Sequence, residues 1–510
     1  MYIEKDTSPA LERFYLPFGG HLRGDNRWVQ LAELIPWDEV EKRYRECFKK
    51  KKGRKAKSVR LALGALIIKE KMGFTDEELV ETIRENPYLQ YFLGFEGYKD
   101  ERPFEASMMT YFRRRLGADS IAEINEMVAI KHHTSKVDSE KKKEQDEEDP
   151  PSGDNGSENK GQLLLDATCA PQDMRHPSDV ILLSEARETT EKIIDSLHIA
   201  CGDAIKPRTY RKKARKQYLA FMRGRRRTKR EIRKALRQQL GYLKRNLATI
   251  EPMIAKVSSD ALRERQKKDV SIIREVYRQQ KYLYDHDTHS IPEKILSVSQ
   301  PHVRAIARGK ARGAYEFGAK LSASVTEDRM VFVDRLSWEP YNESEDLIPQ
   351  VEKYRERFGH YPCSVHADKI YRTRANLQYC KENKIRLSGP KLGRPFVDTE
   401  NNKAKIRELK RIVAKDEAIR QEIESVFGVG KRRYGLDRIM ARTKITSESM
   451  IMVSVLVMNL ATILRDLYLY FSECVWKPVI FAIIKGIQKI FLGLKAGGFR
   501  NSLKLGVFRL

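Results

Sequence analysis

The segment LLLDAT, at 163–168, has the apolar run and polar exit of a buried strand, yet the next strand-like segments begin only near Arg304. A lone strand leaves both edges unpaired, so this one must find its partners far down the chain. Between them, 179–291 is patterned as long helices. Any fold must therefore close a sheet around a helical insertion. Past Arg304, AYEFGAKLSASVT and RMVFVDRLSW read as strands and 344–358 as a helix. YPCSVHADKIY reads as a strand with its exit, TRANLQYCKENKI as a helix and IRLSGP as a short last strand. A helix over 414–427 leads to an apolar helix over 447–467. This alternation predicts an α/β core.

The insertion carries an extreme charge imbalance. Within 206–245, eighteen of forty residues are Lys or Arg, and Glu231 is the single acid. Self-repulsion of that size opposes folding unless a polyanion neutralises it, so phosphate contact is expected, centred on Arg225, Arg226, Arg227, Lys229 and Arg230. Tyr210, Tyr218, Phe221 and Tyr242 are interleaved and give the helices packing handles. The whole chain, with net charge +27, leans the same way, toward nucleic acid.

Over 510 residues the chain is long enough for three or four domains, and 41% apolar residues exclude a wholly disordered one. Residues 1–135 repeat apolar positions at helical spacing, with a capping-box start at Thr75 and Glu78. They predict a helical, DNA-binding N-terminal domain with a basic end at RRRLG. The stretch 136–161 has almost no apolar residue and predicts a solvated, disordered acidic linker. Residues 162–178 then supply the first core strand, 179–291 the basic insertion, 292–446 the rest of the core and 447–510 apolar C-terminal helices. Six scattered cysteines without a C-x-x-C pair exclude a disulfide scaffold and fit a reducing compartment. No signal peptide is apparent, and the apolar run 450–464 falls short of the ~20 residues that a membrane span needs. The expectation is a cytoplasmic protein, associated with the nucleoid and not with a membrane. In the tail, Lys477, Lys485 and Lys489 at helix-like spacing are read as part of a core or dimer helix. The sequence contains no phosphate-binding G-x-x-x-x-G-K-[ST], so no ATP requirement is expected.

Phosphoryl transfer on DNA can run on two divalent metals held by a few carboxylates on rigid elements. Asp166 and Asp368 both stand at strand exits, and Glu424 lies on an amphipathic helix with Arg420 and Lys431 on the same side. Asp334, in VFVDRLS, is an equal rival. A strand-exit Asp is also commonly a cap or turn residue, and periodicity alone does not choose among these four.

The segments GQLLLDATCAPQDMRHPSDVILLSEAR, ARGAYEFGAKLSAS, LSWEPYNESEDL, HADKIYRTRANLQYCKENKIRLSGPKLGRP and RQEIESVFGVGKRRYGLDRIMARTKITSESMIMVSVLVMNLATIL resemble, in order, the catalytic blocks of bacterial and archaeal DDE-class insertion-sequence transposases. The N-terminal stretch through RPFEASMMTYFRRRLG is similar to that family's N-terminal domain. The resemblance implies a ribonuclease H-like mixed sheet flanked by helices, an all-α N-terminal domain and a long basic helical insertion after the first core strand. It selects Asp166, Asp368 and Glu424 as the catalytic, metal-binding acids, holding two Mg²⁺ ions for which Mn²⁺ substitutes. Arg420 and Lys431 fall at the spacings of the family's Tyr, Arg, Glu, Lys signature. Glu417 occupies the Tyr position, a departure, and Glu422 is a nearby alternative third acid. Lys369, Arg372, Arg374, Lys391 and Arg394 are implied contacts to DNA, while His366 is read as a structural histidine. The implied activity is binding of double-stranded element ends by a homodimer or higher oligomer, then strand cleavage and transfer into target DNA. The alternatives are a nuclease that cuts without joining and a decayed, non-catalytic DNA-binding relative.

Overall fold

The computed structural model describes residues 14–16, 19–48, 55–146, 159–257, 262–307, 315–390, 403–472 and Lys485. Six helices come first: α1 (Arg27–Leu34), α2 (Trp37–Glu46), α3 (Val59–Met72), α4 (Asp76–Glu85), α5 (Pro87–Phe92) and α6 (Met108–Asp146). Their ends follow from local chemistry. Ser58 caps α3, Gly73 closes it in the left-handed region, and Thr75 and Glu78 form the full capping box of α4. At Gly117 the chain adopts φ 66° and ψ 171°, so α6 is two helices joined at a break that a side chain would strain.

The sheet begins with β1 (Gln162–Pro171) and resumes with β2 (Arg304–Ala307), β3 (Tyr315–Thr326), β4 (Val331–Ser337), β5 (Ser364–Ala367) and β6 (Arg386–Leu387). Its order is β2-β3-β1-β5-β6, with β4 also on β3. β1 is therefore central, antiparallel to β3 and parallel to β5. Gly318 lets the strands close at the end of β1, because a Cβ there would lie 2.1 Å from the carbonyl oxygen of Ala170. The short edge strand β2 carries too little periodicity to be read from sequence.

Alternation along β1 builds a core on each face. Leu163 and Leu165 pack with Leu347, Val351 and Tyr354 of α11 (Leu347–Phe358) and with Cys380 of α12 (Arg374–Glu382). Leu164 packs instead with Ile423 of α13 (Lys403–Arg433) and Ile451 and Val455 of α14 (Lys444–Phe471). Both last helices run past the bounds that the sequence predicts. α14 is long and apolar enough to cross a membrane by composition, yet most of it is buried inside the protein. An all-round apolar helix wants neighbours on every side, and this one has them.

Those neighbours include the N-terminal helices. One continuous apolar cluster runs from Leu63, Ile67 and Phe112 through Phe332 of β4 to Leu456 and Ile463 of α14. Asn459 of α14 pins the junction. Its amide nitrogen donates to Asn125 Oδ1 and to the carbonyl of Val331, and its oxygen accepts the Val331 N–H, each at 2.8 Å. The N-terminal helices thus share the core of the sheet.

The insertion comprises α7 (Asp179–Cys201), α8 (Arg211–Arg223), α9 (Lys229–Lys256) and α10 (Glu264–Asp285). It has cores of its own, one around Leu183, Leu243 and Ile273, another around Ile194, Ile250 and Val270. Arg187 is buried and bonded to Glu191 at 2.5 Å and Gln239 at 3.2 Å.

A second clasp joins α6 to the β3–β4 turn. Asp328, buried there, accepts from Lys136 and lies 2.7 Å from His133 Nδ1. Burial pushes the Asp328 carboxyl up, but the His133 and Lys136 partners outweigh it and hold it at about 2. The bond to Asp328 raises His133 in turn. The Asp328 contribution is full above its unfolded value of about 4 and fades as pH falls toward 2; the His133 contribution is full below about 6.5 and fades as pH rises through its folded value. The stability lost in Asp328→Asn is therefore expected to be greatest between about pH 4 and 6.5 and smaller on either side. Thermal unfolding of both proteins across pH checks it; a pH-independent difference would refute the clasp.

Candidate active site

β1 and β5 run parallel with Leu164 opposite His366 and Leu165 opposite Ala367. One step further, the same register sets Asp166 abreast of Asp368, on strands about 4.8 Å apart. Asp166 shares its face with Leu164, and Asp368 shares its face with His366, so both carboxylates belong to the side that α13 covers.

The two acids differ in setting. Asp166 is half-buried, and its Oδ1 accepts the Ala167 N–H at 2.8 Å. Burial, and then repulsion from Glu343 and Asp368, push its carboxyl up to about 6 against the pull of the Ala167 N–H and Arg420. Asp368 is exposed and caps the 3-10 turn Lys369–Tyr371, accepting the Lys369 N–H at 2.6 Å.

α13 presents Asp416, Arg420 and Ile423 to the sheet. Asp416, buried, takes a two-pronged bond from Arg386 of β6 at 2.9 and 2.7 Å and lies 3.6 Å from His366 Nδ1. His366 is buried, and its Nε2 meets Ser364 Oγ at 3.0 Å. Burial lowers its pKa, so it is held neutral as a structural group. Arg420 donates to Glu417 at 2.7 Å and to Glu424 at 3.0 Å. These bonds, chiefly that to Glu417, raise the Arg420 pKa. Glu424 is exposed and joined to the Asp166 region through Arg420. Glu422 turns away to Arg329, 3.3 Å off in the β3–β4 turn, beside the opposite end of β1. Asp334 is consumed by Arg357 at 2.9 Å and Gln350 at 3.1 Å.

The structure thus sets two aspartates side by side and holds Glu424 outward on an arginine. Among the described residues, no three carboxylate, imidazole or thiolate groups are clustered closely enough to hold a metal ion as they stand. The two aspartates alone suit a hard cation that keeps most of its waters.

The basic residues divide. Lys369 and Arg374 are exposed beside Asp368, and Lys431 is half-buried near the end of α13. Arg372 turns inward and donates to the carbonyls of Leu387 and Ser388, tying β6 to the turn after Asp368. That inward bonding corrects the reading of Arg372 as a contact to DNA. Lys391 and Arg394 lie outside the described residues. Arg225, Arg226, Arg227, Lys229 and Arg230 are exposed around the α8–α9 connection. Lys229 pairs with Asp287 at 2.8 Å and Arg227 stacks on Phe221, whereas Arg225, Arg226 and Arg230 make no ion pair with any described residue. In the N-terminal helices, Arg113 is bonded to Asp76 and Arg115 lies over Phe48, so RRRLG is largely a packing element. Sequence reasoning passed over Glu343 and Tyr371. Tyr371 stands three residues after Asp368, and that spacing was the one available signal.

A family described as transposase DDE domain matches residues 365–461, from β5 through α13 and into α14. A second, described as a transposase domain (DUF772), matches residues 18–115, the helices before Gly117. The chain is also 32% identical over 158 residues to a protein of Rhizobium meliloti called uncharacterized protein ORF8 in nfe locus, covering 31% of this chain and 68% of that one. The chain belongs to the insertion-sequence DDE transposases. No solved structure matches the transposase. The DDE-domain match takes in Asp368, Arg420 and Glu424 and leaves Asp166 and the basic insertion outside it.

If Asp416 sets the seat of α13 on the transposase sheet, Asp416→Ala strands Arg386 and His366. Arg386 is half-exposed, which reduces the cost of a broken buried pair to about 2 kcal/mol. Urea denaturation checks it, and an unchanged midpoint would remove Asp416 from this role.

Proposed function

We propose that the transposase binds the double-stranded ends of its element as an oligomer, cuts them and joins them to target DNA. It does so on a ribonuclease H-like core, with Asp166, Asp368 and Glu424 as its acids. The observation that supports this best is the register that sets two carboxylates abreast at neighbouring strand exits on the face covered by α13. Their hard oxygen donors fit Mg²⁺ or Mn²⁺, and no thiol or free imidazole stands with them to favour a softer metal. Bound as a pair, such ions supply the polarisation of the phosphate and the activation of water and of the freed 3′-hydroxyl for in-line attack.

The residues of the chain do the rest. Asp166, on a central strand buried on both faces, is the rigid ligand that both ions share, and Asp368 serves from the adjoining exit. Glu424 completes one shell once Arg420 is drawn to a phosphate of the bound strand. The Arg420 guanidinium offers a fork of donors for that exchange, while Lys431 adds a point charge. Lys369 and Arg374 flank the same strand, and Arg225, Arg226 and Arg230 hold phosphates further along the duplex. Glu417 stands where relatives carry an aromatic residue and gives Arg420 a resting partner instead.

Asp166→Asn and Asp368→Asn are each expected to abolish cleavage and joining in Mg²⁺ or Mn²⁺ while sparing affinity for element ends. Wild-type cleavage by either variant would sink the assignment, and cleavage without joined product in the parent would make it a nuclease. For the insertion, Arg225, Arg226 and Arg230 changed together to Gln should shallow the slope of log affinity against log salt by about 0.9 per lost phosphate contact. An unaltered slope would take the arm off the DNA.

A further inference from the structure

Glu343 stands in the 3-10 turn Glu343–Glu345, where Asn342 caps the backbone. That turn is built against the one that follows Asp368. The Asn376 side chain donates to the carbonyls of Ser344 and Tyr371, both at 2.8 Å, and so bolts the two turns together. Glu343 also reaches the strand side of the site, because Lys320 of β3 bonds its carboxylate at 2.7 Å. Lys320 is paired in register with Cys169, three positions past Asp166 on β1. Glu343 is thus fixed to both strands that border Asp166 and to the turn beside Asp368.

A second observation concerns Tyr371. Its ring is fully buried against Leu163 and Leu165, and its hydroxyl has no hydrogen-bond partner. A buried hydroxyl left unpaired costs about 1–3 kcal/mol. The charges that act most on this phenol are those of Glu343, Asp166 and Asp346, so the orphaned hydroxyl is aimed into the acid-lined space. Three carboxylates and an unsatisfied donor, with Lys320 as the cation on this side, describe a place that lacks positive charge and an ordered ligand shell.

We propose that Glu343 is a further cation-binding carboxylate of the Asp166–Asp368 site, with Tyr371 positioning it and Lys320 holding its place until a divalent ion arrives. This rests on the reading of Asp166 and Asp368 given above. It assigns the site an oxygen donor on the face opposite Glu424, so that the ion nearer β3 is served without help from α13. The ammonium of Lys320 must be displaced when the ion enters, which makes ion binding weaker than it would be with Lys320 absent.

The test is Mn²⁺ binding by the full chain without DNA, followed by calorimetry and by the electron paramagnetic resonance of free Mn²⁺. Glu343→Gln is expected to weaken the affinity by about tenfold or more, and Tyr371→Phe to weaken it in the same direction. Lys320→Met should tighten it, a change that a merely structural lysine would not produce. Circular dichroism without metal checks that each variant is folded. Wild-type affinity in folded Glu343→Gln, or weaker binding in folded Lys320→Met, would overturn the proposal. Asp166→Asn separates the two readings: if it abolishes Mn²⁺ binding while Glu343→Gln does not, this inference alone fails. If Asp166→Asn binds Mn²⁺ as the parent does, the underlying site fails with it.

Discussion

Four paired positions between β1 and β5 carry the arrangement of acids. In a strand the side chains alternate strictly, so a slip of one residue would send Asp166 to the other face and exchange the two cores. What forbids the slip is apolar. Leu163 and Leu165 are seated among Leu347, Val351 and Tyr354, and Leu164 is seated against Ile423 and Ile451. Nine further pairs with β3 hold β1 from its other edge. The positions of two hydrophilic groups are therefore set by three leucines. A central strand buried on both faces is also where a carboxylate loses most of its hydration, which is why Asp166 and not Asp368 has a raised pKa.

α13 is the other half of that geometry. It is anchored to the far edge of the sheet by Asp416 and Arg386 and to the centre by Ile423. Arg420 lies between these anchors. Paired with Glu417 and Glu424, it keeps two acids from crowding Asp166 while lending Asp166 some of its own positive field. A site rich in carboxylates is costly to assemble without its cations, and internal basic partners reduce that cost.

Much of this was legible in the sequence because apolar patterning alone governs it. The strand ending at Asp166, the strand ending at Asp368 and the helix bearing Glu424 all announced themselves by period, as did the capping box of α4. What escaped was of two kinds. β2 and β6 are held by backbone pairing at the sheet edges and need little side-chain pattern. Interactions between distant segments were equally hidden: Asn459 with Val331, Asp328 with His133, Arg372 with the β6 exit. Nothing in RRRLG tells that Arg113 is bonded to Asp76 and Arg115 stacked on Phe48, since a basic cluster reads alike whether it faces solvent or a partner. Choosing Asp166 and Asp368 over Asp334 needed the resemblance to a family; the structure gives the reason, because Asp334 is spent on Arg357 and Gln350.

The insertion raises a separate physical question: how a lobe so rich in like charge interrupts a sheet without loosening it. Its two ends answer it. The chain leaves β1 through Gln172 and Asp173 and returns through Gln300, whose amide donates to the Asp173 carbonyl at 3.2 Å. Gln172 in turn donates to the Ile439 carbonyl at 2.9 Å, and Arg438 bonds Asp173 at 2.8 Å, so exit and return are stitched to the segment before α14. A loop whose ends are pinned together adds little strain to the body that carries it, whatever its length. The lobe then folds around its own apolar clusters, where Arg187 is matched by Glu191 and Gln239, and its excess charge collects around the α8–α9 connection. Repulsion there falls on solvent and on whatever polyanion approaches, not on the three leucines that align Asp166 with Asp368. The sheet can thus keep its register while the arm changes its electrostatic surroundings.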